Sequence, residues 1–365
     1  MRTITHEQLN DIAVGAAVLG TGGGGDPYIG KLLAIQALRE FGPVNMISIE
    51  ELPEDAIVAA SAMMGAPTVM VEKVPRGDEV VSAFRRLEET LGQTMYATFS
   101  AEAGGLNSTI PFVVAATLKI PLIDADMMGR AFPELQMVTP TMYGISATPM
   151  TLADEKGNSA VLNTIDNRWT ETFARTITID MGCSAMIALY PMTGRQMKDS
   201  TVPGTISLIE TIGRTIRESH GKLADPVDAV REATGGFVIW TGKVSDIARR
   251  TETGFARGTA TISGTGQNDG RALTIDFQNE FLMAQDDLGN VLASTPDLIT
   301  LLDAETGEPI TTEALRYGFR VAVLGLPCDH RWRSDAGLEL VGPRYFGYDI
   351  EYVPIEDRIQ HGKAA

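Results

Sequence analysis

Four consecutive glycines, Gly22 to Gly25, lie between two stretches whose apolar residues recur at helical spacing, and this arrangement narrows the possible folds sharply. Upstream, Leu9, Ile12, Ala13, Ala16, Ala17 and Leu19 define one helix, with Thr5 as its expected cap. Downstream, Asp26 and Pro27 suit the cap and first turn of a second helix, whose apolar residues are Ile29, Leu32, Leu33, Ile35, Leu38 and Phe41. Gly20, Gly22 and Gly25 also satisfy the G-x-G-x-x-G spacing. A dinucleotide fingerprint, however, needs a strand to feed that loop, because the pyrophosphate sits between a strand end and a helix start. Here a helix feeds it, so no nucleotide is expected. What remains is a cradle of peptide N–H groups at Gly22, Gly23, Gly24 and Gly25 beside Asp26, expected to receive an anionic group or a closely approaching substrate. The alternative is a tightly packed turn between helices.

Beyond the loop, short apolar runs such as "PVNMISI", "DAIVAASAMM", "TMYATFS" and "IPLIDAD" alternate with helical stretches, including one from about Asp78 to Leu91. Such alternation predicts an α/β domain with a mostly parallel sheet. After Asp166 the texture changes: "RTITIDMG", "GGFVIWTGKVSDIARRT", "GFARGTATISGTG" and "RALTIDFQNEFLMA" are rich in Thr, Gly and β-branched residues and read as antiparallel strands. Helices are expected around Gly204–His220 and Asp225–Thr234. The predicted organisation is an N-terminal α/β domain over 1–166 and a strand-rich α+β domain over 167–365, mainly antiparallel.

The charge balance restricts partners. A net charge of −17 disfavours phosphate backbones and anionic membranes, since both select basic surfaces. No apolar run approaches the ~20 residues that span a bilayer, and "MRTITHEQLN" lacks the apolar region of a signal peptide, so a cytoplasmic location is expected. Cys183 and Cys328 are too few for a disulfide framework. Trp169, Trp240 and Trp332 read as partly buried packing residues.

Three groups of residues carry chemistry. Ser100 and Glu102 follow one predicted strand, and Asp124 and Asp126 end another, with Arg130 and Glu134 nearby. In an open parallel sheet those strand ends share one edge, the usual ligand crevice. Asp124 and Asp126, two apart in an extended segment, are expected on one side, where they would hold a divalent ion or position a water. Ordinary helix caps and solvated loop carboxylates are the competing reading. In "GLPCDHRWRS", Cys328 and His330 offer an alternative pair of metal ligands, short of the count a zinc site needs.

The blocks "GTGGGGDPYIG", "DADMMGRAFPELQM", "FQNEFLMA", "TPDLITLLDAETGEPI" and "LELVGPRYFGYDIEYVPIE" together resemble the S-methyl-thiohydantoin desulfurase-like family, whose members are often described as hydantoinase or oxoprolinase related. The resemblance covers nearly the whole chain. It implies an N-terminal α/β domain, a separate strand-rich domain, and water attack on a sulfur-bearing five-membered cyclic amide that replaces the ring C–S function by C=O. It also implies metal dependence for part of the family.

Combining the two lines gives a metal-assisted hydrolase of a small cyclic amide or thioamide, with its site between the domains. Asp124 and Asp126 would hold the ion, Glu102 would act as general base, the loop N–H groups would meet developing charge, and Arg130 would pair with a substrate carboxylate. The other expectation is a non-catalytic binding or assembly subunit accompanying a hydantoinase-like partner. An exposed edge of the strand-rich domain could support a homo-oligomer.

Overall fold

The computed structural model describes residues 1–65, 73, 75–220, 225–252 and 255–362. Its first layer is a mixed sheet of eight strands: β1 (Arg2–Ile4), β2 (Val44–Ile47), β3 (Ile57–Gly65), β4 (Ala97–Ser100), β5 (Leu122–Ile123), β7 (Met150–Ala153), β8 (Ser159–Leu162) and β9 (Ser184–Thr193). Their order is β1-β2-β5-β4-β3-β9-β7-β8. The central strands β2, β5, β4 and β3 run parallel, and antiparallel strands flank them. β3, "IVAASAMMG", is buried along nearly its whole length, as expected of a central strand covered on both faces.

The helices either side of the glycine loop are α1 (Gln8–Leu19) and α2 (Pro27–Phe41). Asp26 caps α2 by accepting the Tyr28 N–H at 2.8 Å, and Pro27 occupies the first turn, where a missing N–H costs nothing. Glu7, not Thr5, sits at the N-cap of α1, and Thr5 instead bonds Gln8. α3 (Glu79–Leu91) buries Val80, Ala83, Phe84 and Leu87 at helical spacing against the sheet, and α4 (Ile110–Leu118) is buried almost all round.

Past Asp166 the chain first returns to this layer. The stretch read as a strand, "RTITID", is the second half of helix α5 (Asn167–Asp180). Its β-branched residues yield to tertiary packing: Thr170, Glu171, Ala174 and Thr178 form one inward face at spacings of three and four. β9 then pairs with β3 and β7. Helices α6 (Thr205–Ser219) and α7 (Pro226–Thr234) follow, α6 packing on α1.

The second layer is an antiparallel sheet in the order β15-β14-β13-β12-β11-β17-β16. Its strands are β11 (Phe237–Glu252), β12 (Phe255–Gly264), β13 (Ala272–Gln278), β14 (Glu280–Asp286), β15 (Val291–Ser294), β16 (Leu298–Asp303) and β17 (Arg320–Leu326). The sheet curls until β14 and β15 lie against β16, enclosing a core of Trp240, Ile262, Ile275, Phe281 and Val323. Leu298, Leu302 and Leu324 on its other face join the core of the first layer, so the two sheets share packed apolar surface. Among the described residues no helix is long and apolar enough to cross a membrane.

Candidate functional site

The glycine loop is the joint between the two sheets. Its carbonyls accept bonds from the second layer: Phe281 N–H donates to Thr21 at 2.7 Å, and Thr312 donates to Gly22 through N–H at 2.8 Å and hydroxyl at 3.0 Å. Gly24 N–H donates to Glu280 Oε1 at 3.2 Å. At Gly22 and Gly23 a side chain would collide with the second layer. At Gly22, with φ +84°, a Cβ would lie 2.4 Å from the Phe281 ring, and at Gly23 it would lie 2.0 Å from Glu280 Oε1. The loop is thus met by a carboxyl that the chain itself supplies, through the Gly24 N–H. Of its glycines only Gly24 lines the adjoining cleft, while Asp26 is an exposed helix cap.

Glu280 is delivered by an abrupt reversal. Gln278 pairs with Glu280 across Asn279, which adopts φ 57°, a left-handed conformation that asparagine tolerates better than most residues. Asn279 is held there by Ala256, donating N–H to its carbonyl at 2.7 Å and accepting its N–H on Oδ1 at 2.8 Å. Glu280 Oε2 is buried and meets no protein donor.

Glu102 approaches from the first layer, two residues past the end of parallel strand β4. Ser100 Oγ ties this bend by bonding the carbonyls of Glu102 at 2.6 Å and Asn107 at 3.0 Å. Asn107 accepts Met63 N–H on Oδ1 at 2.7 Å, which turns its amide nitrogen toward Glu102 Oε1, also at 2.7 Å. Asp126 braces the segment from behind, accepting the amides of Ala103, Met128 and Gly129 on Oδ2 at 2.6–2.9 Å.

Burial raises the pKa of all three carboxyls. Glu102 moves to about 8, chiefly through desolvation, against the opposing Asn107 bond. Glu280 is raised well above its ordinary value by desolvation, and the Glu102 charge pushes it further. Asp126 moves to about 7 despite its three amide donors. At neutral pH the facing Glu102 and Glu280 thus retain protons, as expected of two like groups in a dry site.

Between them opens a cleft with about 690 Å³ of empty space, its mouth included. Met63, Met64, Met127, Met128, Phe132, Leu135, Val138, Ile187 and Leu189 supply its apolar walls, and Glu134, Glu171 and Arg175 its polar ones. Trp332 fixes the Met128–Phe132 wall by donating Nε1–H to the Met128 carbonyl at 2.7 Å and meeting Phe132 edge-on, with ring centroids 5.1 Å apart.

The structure separates the remaining expected site residues. Asp124 and Asp126 serve different partners. β5 ends at Ile123, and β6 (Ala125–Asp126) pairs with β10 (Val202–Pro203). Asp124 accepts N–H and Oγ–H from Ser207 in the first turn of α6, the cap-like role that competed with the metal reading. This pair does not fit a divalent ion. Cys328 is buried, with its thiol pushed up to about 12 by desolvation, whereas the His330 side chain is 83% exposed. Among the described residues no three His, Cys, Asp or Glu side chains are grouped to hold a metal. Arg130 is wholly buried and stitches the layers, donating to the carbonyls of Pro296 and Asp297 at 2.6 and 2.9 Å and to Thr21 Oγ1 at 3.0 Å. It does not line the cleft. Trp332 and Trp240 are buried, but Trp169 is 46% exposed on α5.

Residues 7–164 match the description "S-Me-THD-like, N-terminal domain" and residues 165–355 match "S-Me-THD-like, C-terminal domain". The fold is similar to that in a crystal structure of a protein from Chromobacterium violaceum. That chain is 24% identical, with a TM-score of 0.82, over 97% of this chain and 100% of the other. No curated protein matches the chain.

Proposed function

The chain belongs to the S-Me-THD-like family, and from that premise we propose that it hydrolyses an S-alkylated five-membered cyclic thioamide of the S-methyl-thiohydantoin kind, using Glu102 and Glu280 as its acid–base pair. The observation that carries this reading is the placement of two buried carboxyls, one with an oxygen free of protein donors, on either side of an apolar cleft at the carboxyl ends of parallel strands.

Protonated Glu280 donates to the ring nitrogen of the N=C–S unit, which makes the carbon electrophilic. Glu102, in the fraction that is ionised as pH approaches its value of about 8, takes a proton from water while the water oxygen bonds to that carbon. In the resulting tetrahedral adduct the C–S bond breaks. Glu102 returns its proton to the departing sulfur, the adduct hydroxyl returns a proton to Glu280, and the C=O forms. Both carboxyls end as they began, and the net change is substrate plus water giving hydantoin plus thiol. Burial and the neighbouring Glu102 charge keep Glu280 protonated, which suits the donor, while Glu102 takes the part of the base. Asn107 steadies Glu102 in either protonation state, because its own orientation is fixed by Met63.

The test is product analysis in heavy-oxygen water with S-methyl-thiohydantoins. The expected result is one thiol released per hydantoin formed, with solvent oxygen in the new carbonyl. Ring opening with sulfur retained, or no thiol from any S-alkyl thiohydantoin, would overturn it.

A further inference from the structure

We propose that the groove over strands β11, β12 and β13 is a second ligand site, which takes a small molecule by its carboxylate or phosphate group. The groove holds about 870 Å³ of empty space, its mouth included, and shares no lining residue with the Glu102–Glu280 cleft.

Strand register sets its floor. Arg250 stands directly opposite Arg257, and Arg257 directly opposite Gln278, so the three form one row across three strands. Ala248, Thr259 and Asp276 form the next row. Arg249, on the alternate face of β11, donates instead to the carbonyls of Thr312, Glu313 and Leu315. Phe346 and Tyr348 wall the groove.

Like charges directly opposite each other on neighbouring strands are destabilising, and the chain does little to relieve this pair. Arg250 bonds Glu252 at 3.1 Å, but both side chains are exposed and solvent weakens such a bridge. Arg257 makes no hydrogen bond or ion pair among the described residues; its guanidinium lies 5.9 Å from the Phe255 ring centroid. Gln278 is only 5% exposed, yet its side-chain amide has no partner among them either. Asp276, the acid of the floor, is turned to the Tyr348 hydroxyl, and burial raises its pKa.

A carboxylate or phosphate set between Arg250 and Arg257 would replace their repulsion by charge-assisted hydrogen bonds, with the Gln278 amide as a further donor. The body of the ligand would lie along Phe346 and Tyr348. In a chain of net charge −17 this row is a local exception, and two facing arginines suit one small anion better than a polyanionic backbone.

Calorimetry and thermal unfolding of the intact protein, at an ionic strength held constant with sodium chloride, test the site. The probes are benzoate, phenyl phosphate and inorganic phosphate, with benzamide as the neutral counterpart of benzoate. Benzoate or phenyl phosphate is expected to bind at least tenfold more tightly than benzamide and to raise the unfolding temperature, as a ligand of the native state does. The tighter of the two tells a carboxylate ligand from a phosphate one. Arg257→Gln is expected to weaken that anion at least tenfold while unfolding, without ligand, no earlier than the native protein, because a facing like charge is gone. Should that variant fail to fold, Arg250→Gln reads the same loss. Benzamide binding within tenfold of both organic anions would overturn the proposal, as would anion binding unchanged in a folded arginine variant. Binding of inorganic phosphate alone, equal in native and variant proteins, would mark an adventitious ion only and overturn it too.

Discussion

Gly24 holds one oxygen of Glu280 and leaves the other free: its N–H donates to Oε1 at 3.2 Å across the joint between the sheets, while Oε2 has no protein partner. The loop is thus a positioning device for an acid carried 256 residues further along the chain. That role requires backbone at van der Waals distance, which is why glycines stand there.

Gly23→Ala tests the joint. Its Cβ would fall 2.0 Å from Glu280 Oε1, so either the loop or the carboxyl must move. Overpacking of this kind costs roughly 1–3 kcal/mol. Thermal unfolding is expected to show that loss, and turnover is expected to fall by a larger factor than stability alone explains. A variant with native melting temperature and native rate would show that the close approach does not position Glu280.

Stability should depend on pH through Glu102. Its folded pKa of about 8 lies above its ordinary 4.5, so the native state holds a proton that the unfolded chain releases. The corresponding stability is fully present below about 4.5 and is lost as pH rises through about 8. Gln at this position stays neutral. Glu102→Gln should therefore match the native protein near pH 5 and exceed it increasingly toward pH 8.5, by an upper bound on the order of 5 kcal/mol. Denaturant titrations at several pH values measure this, and a difference that stays flat with pH would contradict the buried, protonated carboxyl.

Asp124 should matter to folding and not to chemistry. It accepts two bonds from Ser207 at the start of α6, so Asp124→Asn is expected to cost about 0.5–2 kcal/mol, the range for a lost cap. Turnover of the folded variant should stay within twofold of native. Collapse of turnover with the fold intact would return Asp124 to the catalytic site.

What was legible in the sequence was mostly local. The helices around the glycine loop, the Asp26–Pro27 start and the buried parallel strands follow from short-range spacing, and Glu102 follows from its place past a strand end. Glu280 was not found, because nothing near it in "FQNEFLMA" shows which loop it will meet. The faint signal is Asn279, a turn-tolerant residue interrupting an otherwise continuous strand pattern. The partners of Asp124 and Asp126 were not legible, because Ser207 and the Ala103, Met128 and Gly129 amides reach them only through the tertiary fold. "RTITID" misled because its β-branched residues suit a strand in isolation, while packing of Ala174 and Thr178 makes it helical. At the glycines expected to cradle an anion, the folded chain brings the Glu280 carboxyl to the Gly24 N–H, a contact that no local spacing announces.

The most direct test measures thiol release from S-methyl-thiohydantoin by native protein, Glu102→Gln and Glu280→Gln, each confirmed folded by circular dichroism, with Asp124→Asn as the folded control. Acid–base partners typically contribute 10²–10⁴-fold. The expected result is a loss in that range for each glutamine variant, with the native rate retained by the control. Glutamine variants that turn over within tenfold of native would contradict the assignment of Glu102 and Glu280 as the reacting pair.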